Sequence, residues 1–131
     1  MKLFPSALLT IIVAGAACAV PTAPDLARGE AIYRQCFACH SLDAAANTPA
    51  GPTLNNIVGR AIASERDFNY SPALRRLAAE QREWSPQLLD RFLHRPEAVA
   101  PGTEMGFPGL ESDADRAALI AWLAEGSGRR H

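Results

Sequence analysis

Lysine is almost absent from this chain of 131 residues, because Lys2 is the only one. Residues 20–131 therefore carry 12 arginines against 14 acidic residues, a balance of −2. A nucleic-acid-binding domain normally shows a strong excess of positive charge, so we expect no nucleic-acid partner. The length fits one small domain, and a chain this short benefits from stabilisation beyond its apolar core.

Cysteine and histidine are also scarce, with three of each in the chain. Beyond Cys36, Cys39 and the adjoining His40, the downstream chain has no other cysteine and only His94 and His131. A structural zinc site needs a second pair of ligands, so the two cysteines make half a zinc site at most. A redox disulfide, such a half site and a chance pattern remain as alternative interpretations of the cysteine pair.

What the chain does contain is the run Cys36-Phe37-Ala38-Cys39-His40. Two thiols three residues apart, followed at once by an imidazole, form the attachment sequence for a covalently bound c-type haem. One helical turn puts both sulfurs on the same side of the backbone, where each can form a thioether to a vinyl group. The next residue then directs its ring nitrogen at the iron. We predict one covalently attached haem c, with His40 as the first iron ligand.

No hydrophobic run in the sequence is long enough to cross a bilayer comfortably. The run Ala7–Ala17 follows the positive charge of Lys2 and leads into Ala17-Cys18-Ala19, which has the small-x-small form of a cleavage site. We predict that residues 1–19 are a cleavable secretion signal and that residues 20–131 form a single domain with a short flexible C-terminal tail.

Export to the periplasm also suits the cysteine chemistry. In an oxidising compartment, Cys36 and Cys39 would be handled by dedicated attachment machinery rather than left as thiols. Two alternatives stay open for the first segment, an uncleaved membrane anchor and a lipoprotein signal that uses Cys18. The second alternative lacks the leucine expected three places before a lipidated cysteine.

The rest of the chain contains helix signals and no segment that alternates with the period of a strand. Capping residues before apolar stretches predict helix starts. The predicted caps are Asp25, Ser71, Ser85 and Ser112, and a proline follows Ser71 and Ser85 in the first turn. The first should extend from Leu26 to about Gln35, and the last from Asp113 to about Glu125, ending at Gly126. Gly29, inside the first helix, indicates that another helix crosses closely there. We predict an all-α fold of four to five short helices wrapped around the haem.

Met105 is the candidate for the second iron ligand. It is the only methionine outside the expected signal, and it ends the segment Pro101-Gly102-Thr103-Glu104-Met105, a rigid Pro-Gly turn suited to holding a thioether in a fixed place. The alternative is a core methionine that fills a gap, but the haem motif favours ligation by the His/Met pattern of haem carriers. His94 and His131 have charged neighbours and are expected to be solvated.

These features together make the chain resemble class I cytochrome c, most closely the mitochondrial type and its bacterial periplasmic relatives. The resemblance runs from about Asp25 to Leu123. Besides the haem motif it rests on the order and spacing of Gly51-Pro52-Thr53-Leu54, Val58-Gly59-Arg60, Phe68-Asn69-Tyr70-Ser71, Trp84, Arg95-Pro96, the Met105 segment and Leu119-Ile120-Ala121-Trp122-Leu123.

The resemblance implies roles for further residues. The carbonyl of Pro52 should accept a hydrogen bond from the free ring nitrogen of His40. Tyr70 and Trp84 should hydrogen-bond a haem propionate, and Arg60 should lie close enough to balance its charge. Without the family context these side chains could be ordinary core aromatics and a surface charge. The resemblance places Thr103 among the haem-contacting residues as well, and it makes the first and last helices cross at Gly29 and Trp122.

The chain also departs from the family pattern. Phe92 stands where the mitochondrial type usually has a tyrosine near the ligating sulfur, and Leu74 stands where it usually has an asparagine in the same buried network. The methionine side of the haem should therefore be drier. The lysine-rich docking face of the mitochondrial proteins is missing, and acidic residues stand at or near its places: Glu97, Glu104 and Glu111.

We therefore predict a periplasmic single-haem electron carrier that cycles between Fe(III) and Fe(II), with no substrate turnover of its own. Its expected partners are redox proteins, a cytochrome reductase or dehydrogenase as donor and an oxidase or other acceptor of a respiratory or related chain, and it is expected to be a monomer. The alternatives are a haem enzyme or small-ligand sensor, and a dedicated subunit of a larger oxidoreductase. A haem enzyme or sensor needs a polar group positioned near Met105. The residues expected there are apolar: Phe92, Leu74 and Phe107.

Overall fold

Five helices account for the regular structure of residues 25–126, the part of the chain that the computed structural model describes. They are α1 Leu26–Tyr33, α2 Pro72–Glu80, α3 Pro86–His94, α4 Pro96–Val99 and α5 Asp113–Gly126. Within this range there are no strands, only isolated bridges such as Ala61 with Glu83. The prediction of an all-α fold with four to five short helices is confirmed.

The expected signal at residues 1–19 and nearly all of the expected C-terminal tail lie outside the described residues. From residue 25 to residue 126, no helix has both the length and the apolar character needed to span a bilayer.

Helix starts follow the capping residues predicted from the sequence. A side-chain oxygen of Asp25 accepts a hydrogen bond from the backbone N–H of Arg28 at 3.0 Å, which caps α1. Ser71 and Ser85 cap α2 and α3 in the same way, each followed by a proline in the first turn. A hydroxyl that accepts from an otherwise unpaired N–H, followed by a residue with its φ already fixed, stabilises the first turn.

Helix α1 ends at Tyr33 rather than near Gln35, because the chain tightens into turns before the cysteines. The backbone N–H of Gln35 bonds to the carbonyl of Ile32, and that of Cys36 bonds to the carbonyl of Tyr33. These bonds reach back three residues instead of four, which ends the α-helical ladder. The helix nevertheless delivers the chain directly to the haem motif, as predicted.

Helices α1 and α5 pack against each other at Gly29. A Cβ placed on Gly29 would lie 2.3 Å from the carbonyl oxygen of Ala118 and 2.6 Å from the Cβ of Trp122. Such distances are impossible for real atoms, so only glycine permits this approach. Next to the crossing, the ring centroids of Tyr33 and Trp122 lie 5.0 Å apart. The predicted close crossing of the first and last helices is confirmed.

The start of α5 forms half of a capping box, the motif in which the cap and the third helical residue bond to each other's backbone. The hydroxyl of Ser112 accepts a hydrogen bond from the backbone N–H of Asp115 at 3.2 Å, as expected. The carboxylate of Asp115 does not reach back to the cap; it forms an ion pair with Arg28 of α1. Because the two helices cross here, a guanidinium is available to Asp115, and the pair links both helices at the surface.

The core lies between α1, α3 and α5. Helix α3 buries its apolar stripe, the four residues Leu88, Leu89, Phe92 and Leu93, and Leu119 of α5 is fully enclosed. Arg95-Pro96 ends α3 as predicted, and the short helix α4 follows. Two long irregular segments connect this framework, residues 34–71 and residues 100–112. These segments carry most of the candidate haem-binding residues.

Candidate haem-binding site

The two cysteines of the haem motif lie on one tight turn. The N–H of Cys39 donates to the carbonyl of Cys36 at 3.0 Å, and the N–H of His40 donates to the same carbonyl at 2.9 Å. Both thiols are free; Cys36 is half-buried and Cys39 is exposed. Burial, reinforced by the neighbouring Cys39, raises the pKa of the Cys36 thiol. A redox-active Cys-x-x-Cys pair normally has a lowered thiol pKa, so this environment does not favour the redox-disulfide interpretation.

His40 is held so that one ring nitrogen remains free. Its Nδ1 lies 2.7 Å from the carbonyl oxygen of Pro52, which can only accept, so Nδ1 carries the proton and donates. The carbonyl of His40 accepts a hydrogen bond from the hydroxyl of Tyr33 at 3.0 Å. With the N–H bonded to Cys36, the polar group left over is Nε2. An unprotonated Nε2 with a fixed ring orientation is the arrangement that metal-ligating histidines use.

The charge state of His40 agrees with that geometry. Burial lowers the pKa of the imidazole, and the positive charge of Arg60 lowers it further, while the hydrogen bond to Pro52 acts in the opposite direction. The ring is therefore held neutral, which is the form that binds a metal.

Gly51 and Thr48 hold the loop before Pro52 against the haem motif. A Cβ on Gly51 would lie 2.7 Å from both the carbonyl oxygen of Cys39 and Cε1 of His40. The hydroxyl of Thr48 donates to the same Cys39 carbonyl at 2.6 Å. The loop before Pro52 can thus approach the imidazole closely, which brings the Pro52 carbonyl within hydrogen-bonding distance.

Arg60 is mostly buried and has one unpaired donor. Its Nη1 donates to the carbonyl of Asn55 at 2.7 Å and its Nη2 donates to the carbonyl of Thr53 at 2.8 Å. Nη1 also forms an ion pair with Glu65 at 3.1 Å. The Nε atom is buried and has no hydrogen-bond partner among residues 25–126. Buried donors almost always have an acceptor, and a haem propionate would supply one here.

Tyr70 and Trp84 belong to the same neighbourhood as Arg60. The backbone N–H of Glu65 donates to the Tyr70 hydroxyl oxygen at 3.3 Å, which leaves the Tyr70 O–H free to donate. Burial raises the pKa of Tyr70, so the phenol stays protonated. The backbone N–H of Trp84 donates to the carbonyl of Arg60 at 2.9 Å. The Trp84 ring packs edge-on against Phe92, with the ring centroids 4.9 Å apart. Backbone pairing therefore brings residues from distant parts of the chain to one corner.

The Met105 segment forms a separate group. Its turn is closed by a hydrogen bond from the N–H of Thr103 to the carbonyl of Ala100 at 2.9 Å, and Gly102 has a φ of +83°, which glycine adopts readily. The hydroxyl oxygen of Thr103 accepts from the N–H of Met105 at 3.3 Å. Met105 is half-buried and packs against the core. Within the described residues, no hydrogen bond joins this segment to the His40 or Arg60 groups.

The arrangement suits an organic prosthetic group better than a bare metal ion. From residue 25 to residue 126 there is no cluster of three or more histidine, cysteine or acidic residues that could hold a metal. His94 lies partly exposed, with its Nε2 3.3 Å from a carboxylate oxygen of Glu111, as expected for a solvated histidine. The residues present fit a haem, because they offer two free thiols, an oriented imidazole nitrogen and an unpaired buried guanidinium N–H.

Sequence reasoning missed several residues that position the site. Tyr33, Thr48 and Glu65 make the contacts described above, yet none belongs to a motif. Tyr33 lies one residue beyond Ile32 on the buried face of α1, so a tyrosine on a helical core face, whose hydroxyl needs a partner, was the only available signal. Glu65 was identifiable only through its contacts with Arg60 and Tyr70.

Comparison with known proteins agrees with this geometry. The family model described as Cytochrome c matches residues 26–127. A cytochrome c2 of Agrobacterium tumefaciens is 38% identical over 99 residues, which cover 76% of this chain and 89% of that protein. A cytochrome c2 of Rhodomicrobium vannielii is 40% identical over 107 residues, covering 82% and 83%. The solved structure of cytochrome c2 from Rhodospirillum centenum superposes with a TM-score of 0.70 at 28% identity, over 77% of this chain and 97% of that one.

Proposed function

Because the chain belongs to the cytochrome c family, we propose that its haem c is attached through Cys36 and Cys39 and ligated by His40 and Met105. Family membership makes the chain a single-haem electron carrier with a covalently bound haem and iron, which exchanges electrons with redox partners and is not an enzyme. The observation that carries the ligand assignment is the free Nε2 of His40, whose Nδ1 donates to Pro52 at 2.7 Å.

When bound, the haem supplies the Fe(III)/Fe(II) couple, and the residues of this chain control its surroundings. The hydrogen bond from His40 to Pro52 fixes the imidazole and increases its basicity. Phe92 is buried, and Leu74 and Met105 pack against the same core, so few polar groups have to reorient when one electron arrives. A thioether ligand favours the reduced state, which gives a comparatively high potential.

We assign the propionate contacts to the Arg60 corner. The unpaired Nε of Arg60 and the free O–H of Tyr70 are both donors without an acceptor in the described residues, and Trp84 adds an indole N–H to the same corner. Thr103 would donate its hydroxyl proton, because its oxygen already accepts from Met105. A guanidinium N–H buried in this way stabilises a carboxylate strongly.

We further propose that residues 1–19 direct export, so that residues 20–131 act as a monomer in the periplasm. The apolar run of the segment and its small-x-small site support this assignment. The donor would be a reductase or dehydrogenase and the acceptor an oxidase or a related protein of a respiratory chain.

Partner choice would be influenced by an acidic edge, defined as Glu97, Glu104 and Glu111. All three are exposed; Glu104 belongs to the Met105 segment, Glu97 precedes the segment and Glu111 follows it. The carboxylate of Glu97 accepts the N–H of Gly102 at 2.8 Å, so this charge is held beside the turn. A fixed acidic edge steers the encounter towards a partner with a neutral or basic patch, and Phe107 is placed for apolar contact.

The ligand proposal is tested on protein matured in a periplasm. The visible spectrum and redox titration should show haem that stays with the polypeptide on denaturation, together with the weak red-end absorption band of iron–methionine bonding. Met105→Ala should keep the haem attached but lose that band, lower the potential and bind carbon monoxide readily in the reduced form.

Two matched variants complete the experiment. Cys36→Ala with Cys39→Ala should abolish covalent attachment, and His94→Gln should leave the spectrum unchanged. A Met105→Ala protein that retains the wild-type spectrum would transfer the ligand role to another group. Absence of covalent haem in the wild-type protein would contradict the attachment assignment.

A further inference from the structure

Arg116 is the most enclosed charged side chain of residues 25–126, with 4% of its surface exposed. It lies in the first turn of α5. Its Nε donates to a carboxylate oxygen of Asp90 on α3 at 2.7 Å, and its Nη2 pairs with Asp113 at the start of α5. These charged hydrogen bonds, led by the one to Asp90, raise the pKa of Arg116, so its charge is permanent.

The remaining nitrogen of Arg116 holds the end of the ligand segment, defined as the irregular residues 100–112 that contain Met105. Nη1 donates to the carbonyl of Leu110 at 2.7 Å and to the carbonyl of Glu111 at 3.0 Å. These two residues come five and six places after Met105, where the segment enters α5. The guanidinium therefore ties the segment to both α3 and α5 at once.

Other contacts at this end depend on the same alignment. The N–H of Leu110 donates to the carbonyl of Leu93 at 2.8 Å. The backbone at Gly109, where φ is +110°, passes so close to α3 that a Cβ would lie 2.1 Å from the carbonyl oxygen of His94. The segment thus lies directly against the C-terminal end of α3, and Arg116 holds that contact from the side of α5.

The side chains that hold the opposite end of the segment are exposed. Arg76 donates to the carbonyl of Pro101 at 3.1 Å, and Glu97 accepts from Gly102, and water competes for both bonds because the two side chains are exposed. Between the two ends, Met105 packs against the core and makes short hydrogen bonds within residues 103–107. The Arg116 guanidinium is therefore the only buried charged side chain of residues 25–126 that holds this segment, which has no helix of its own.

We propose that Arg116 is a positioning residue for Met105, which slows the departure of the thioether from the iron by holding the end of the ligand segment. The proposal rests on the proposed ligation by Met105. A planar guanidinium with its donors in a fixed fork suits this role, since it binds two carbonyls and two carboxylates in one geometry.

The test measures how fast an added ligand replaces the methionine in the ferric protein. Imidazole is the probe, and at saturating imidazole the exchange rate reaches a plateau set by methionine departure. Arg116→Gln should raise that plateau at least about tenfold, the factor at the lower end of the range for losing one hydrogen bond to a charged group. Asp90→Asn should raise it less, because both carbonyl contacts remain.

Arg28→Gln is the matched control. It removes an exposed ion pair that also links α5, to Asp115, but it leaves the ligand segment untouched, so its plateau should equal that of the wild type. The free energy of unfolding is measured in parallel for every variant. A plateau unchanged in Arg116→Gln, with only global stability reduced, would make Arg116 purely structural and overturn the proposal.

Two possible complications also give decisive results. If Arg116→Gln does not fold, the exchange rate of Asp90→Asn tests the proposal instead. A raised plateau in that variant supports it, and an unchanged plateau overturns it. Met105→Ala is run beside them, and it should bind imidazole without the slow plateau. If wild type and Met105→Ala bind equally fast, the ligand assignment fails rather than the role of Arg116 alone.

Discussion

At His40, contacts within the chain leave one atom, Nε2, available to a metal. Three of its polar groups are engaged within the chain, with Pro52, Tyr33 and Cys36 as partners. A residue held at its side chain, its carbonyl and its amide has little freedom left, and its Nε2 is presented at a fixed position. If His40 ligates the iron as proposed, this pre-organisation lowers the reorganisation needed on electron transfer, and Tyr33 contributes to it beside Pro52.

Replacing Tyr33 with phenylalanine tests that role at the level of one hydroxyl. Tyr33→Phe keeps the ring against Trp122 but removes the donor to the His40 carbonyl, so the free energy of unfolding of the holoprotein should fall by about 1 kcal/mol. The NMR signal of the His40 Nδ1 proton should also shift, because the ring loses part of its support. Chemical denaturation and NMR measure the two effects.

Phe37 provides the matched control for this variant. Its ring contacts Tyr33 edge-on and is 71% exposed, with no bond from its side chain to His40. Phe37→Leu should therefore leave the His40 signal in place. An identical His40 signal in Tyr33→Phe and wild type would show that the hydroxyl does not orient the ligand.

At the scale of elements, the crossing of α1 and α5 stabilises a helix that is too short to be stable alone. Helix α1 has 8 residues, and isolated helices shorter than about 12 residues are marginal in water. Its stability must come from packing on α5, and Gly29 permits the close approach. Because α1 leads directly into the haem motif, this packing also places Cys36.

Gly29→Ala should destabilise the protein although alanine is the better helix former. The added Cβ would meet a backbone carbonyl at 2.3 Å, which cannot move aside, so the overpacking cost should reach the upper end of its usual range, about 3 kcal/mol. The gain in helix propensity offsets about 1 kcal/mol of that. Thermal or chemical unfolding of the holoprotein gives the net loss of stability.

Ala31 allows the contribution of the clash to be separated from that of helix propensity. It is an exposed position on the same helix, and Ala31→Gly changes helix propensity without a clash, at a cost of about 1 kcal/mol. A Gly29→Ala protein as stable as wild type would mean that the helices can separate freely, in conflict with the close crossing.

At the scale of the whole molecule, the scarcity of lysine should change the behaviour at high pH. Cytochromes of the mitochondrial type exchange the methionine for a nearby lysine as pH rises, but residues 20–131 contain no lysine. Arginine stays protonated and cannot replace it. We expect loss of the methionine band at high pH to give hydroxide ligation or partial unfolding, as followed by visible and EPR spectra.

The nitrogen donors that remain beside His40 are two histidines and the N-terminal amine. The double variant His94→Gln with His131→Gln removes the histidines, and chemical blocking removes the amine. A low-spin, nitrogen-ligated alkaline form that persists in this blocked variant would contradict the expectation.

The distribution of charge over the whole surface predicts a salt effect of defined sign. If the acidic edge steers encounters, oxidation of the reduced protein by cationic tris(phenanthroline)cobalt(III) should slow as salt is added, because the Debye length falls to about 8 Å at physiological ionic strength. Oxidation by anionic ferricyanide should show a weaker or opposite trend. Stopped-flow rates against ionic strength measure both.

Two triple variants with the same change of charge identify the source of the steering. Replacing the acidic edge with Glu97→Gln, Glu104→Gln and Glu111→Gln should flatten the response to salt. Replacing three exposed glutamates elsewhere with glutamine, at Glu30, Glu80 and Glu83, should leave most of the salt response intact. A salt response that survives in the first variant and is lost in the second would place the steering on another face.

The features that could be predicted from the sequence are those coded within a few residues. The spacing of Cys36, Cys39 and His40 predicted the haem, and the Ser–Pro pairs at residues 71 and 85 predicted helix starts, because one turn of backbone is enough to bring such groups together. Gly29 predicted the crossing for a similar reason, since an interior helical glycine usually marks a close contact. The family resemblance predicted the place of Pro52, which no local pattern does.

Contacts that depend on the path of an irregular segment or on helix packing emerge only in the folded structure. Tyr33 meets the carbonyl of His40, Glu65 joins Arg60 to Tyr70, and Arg116 reaches Asp90 across 26 positions. Such pairs leave no periodic signal, because the first two depend on how residues 34–71 turn and the third forms only once α3 and α5 have packed together. The chemistry of the site is therefore local in origin, whereas the support of His40 comes from the fold of the irregular segment against α1, and that of the residues after Met105 comes from the packing of α3 and α5.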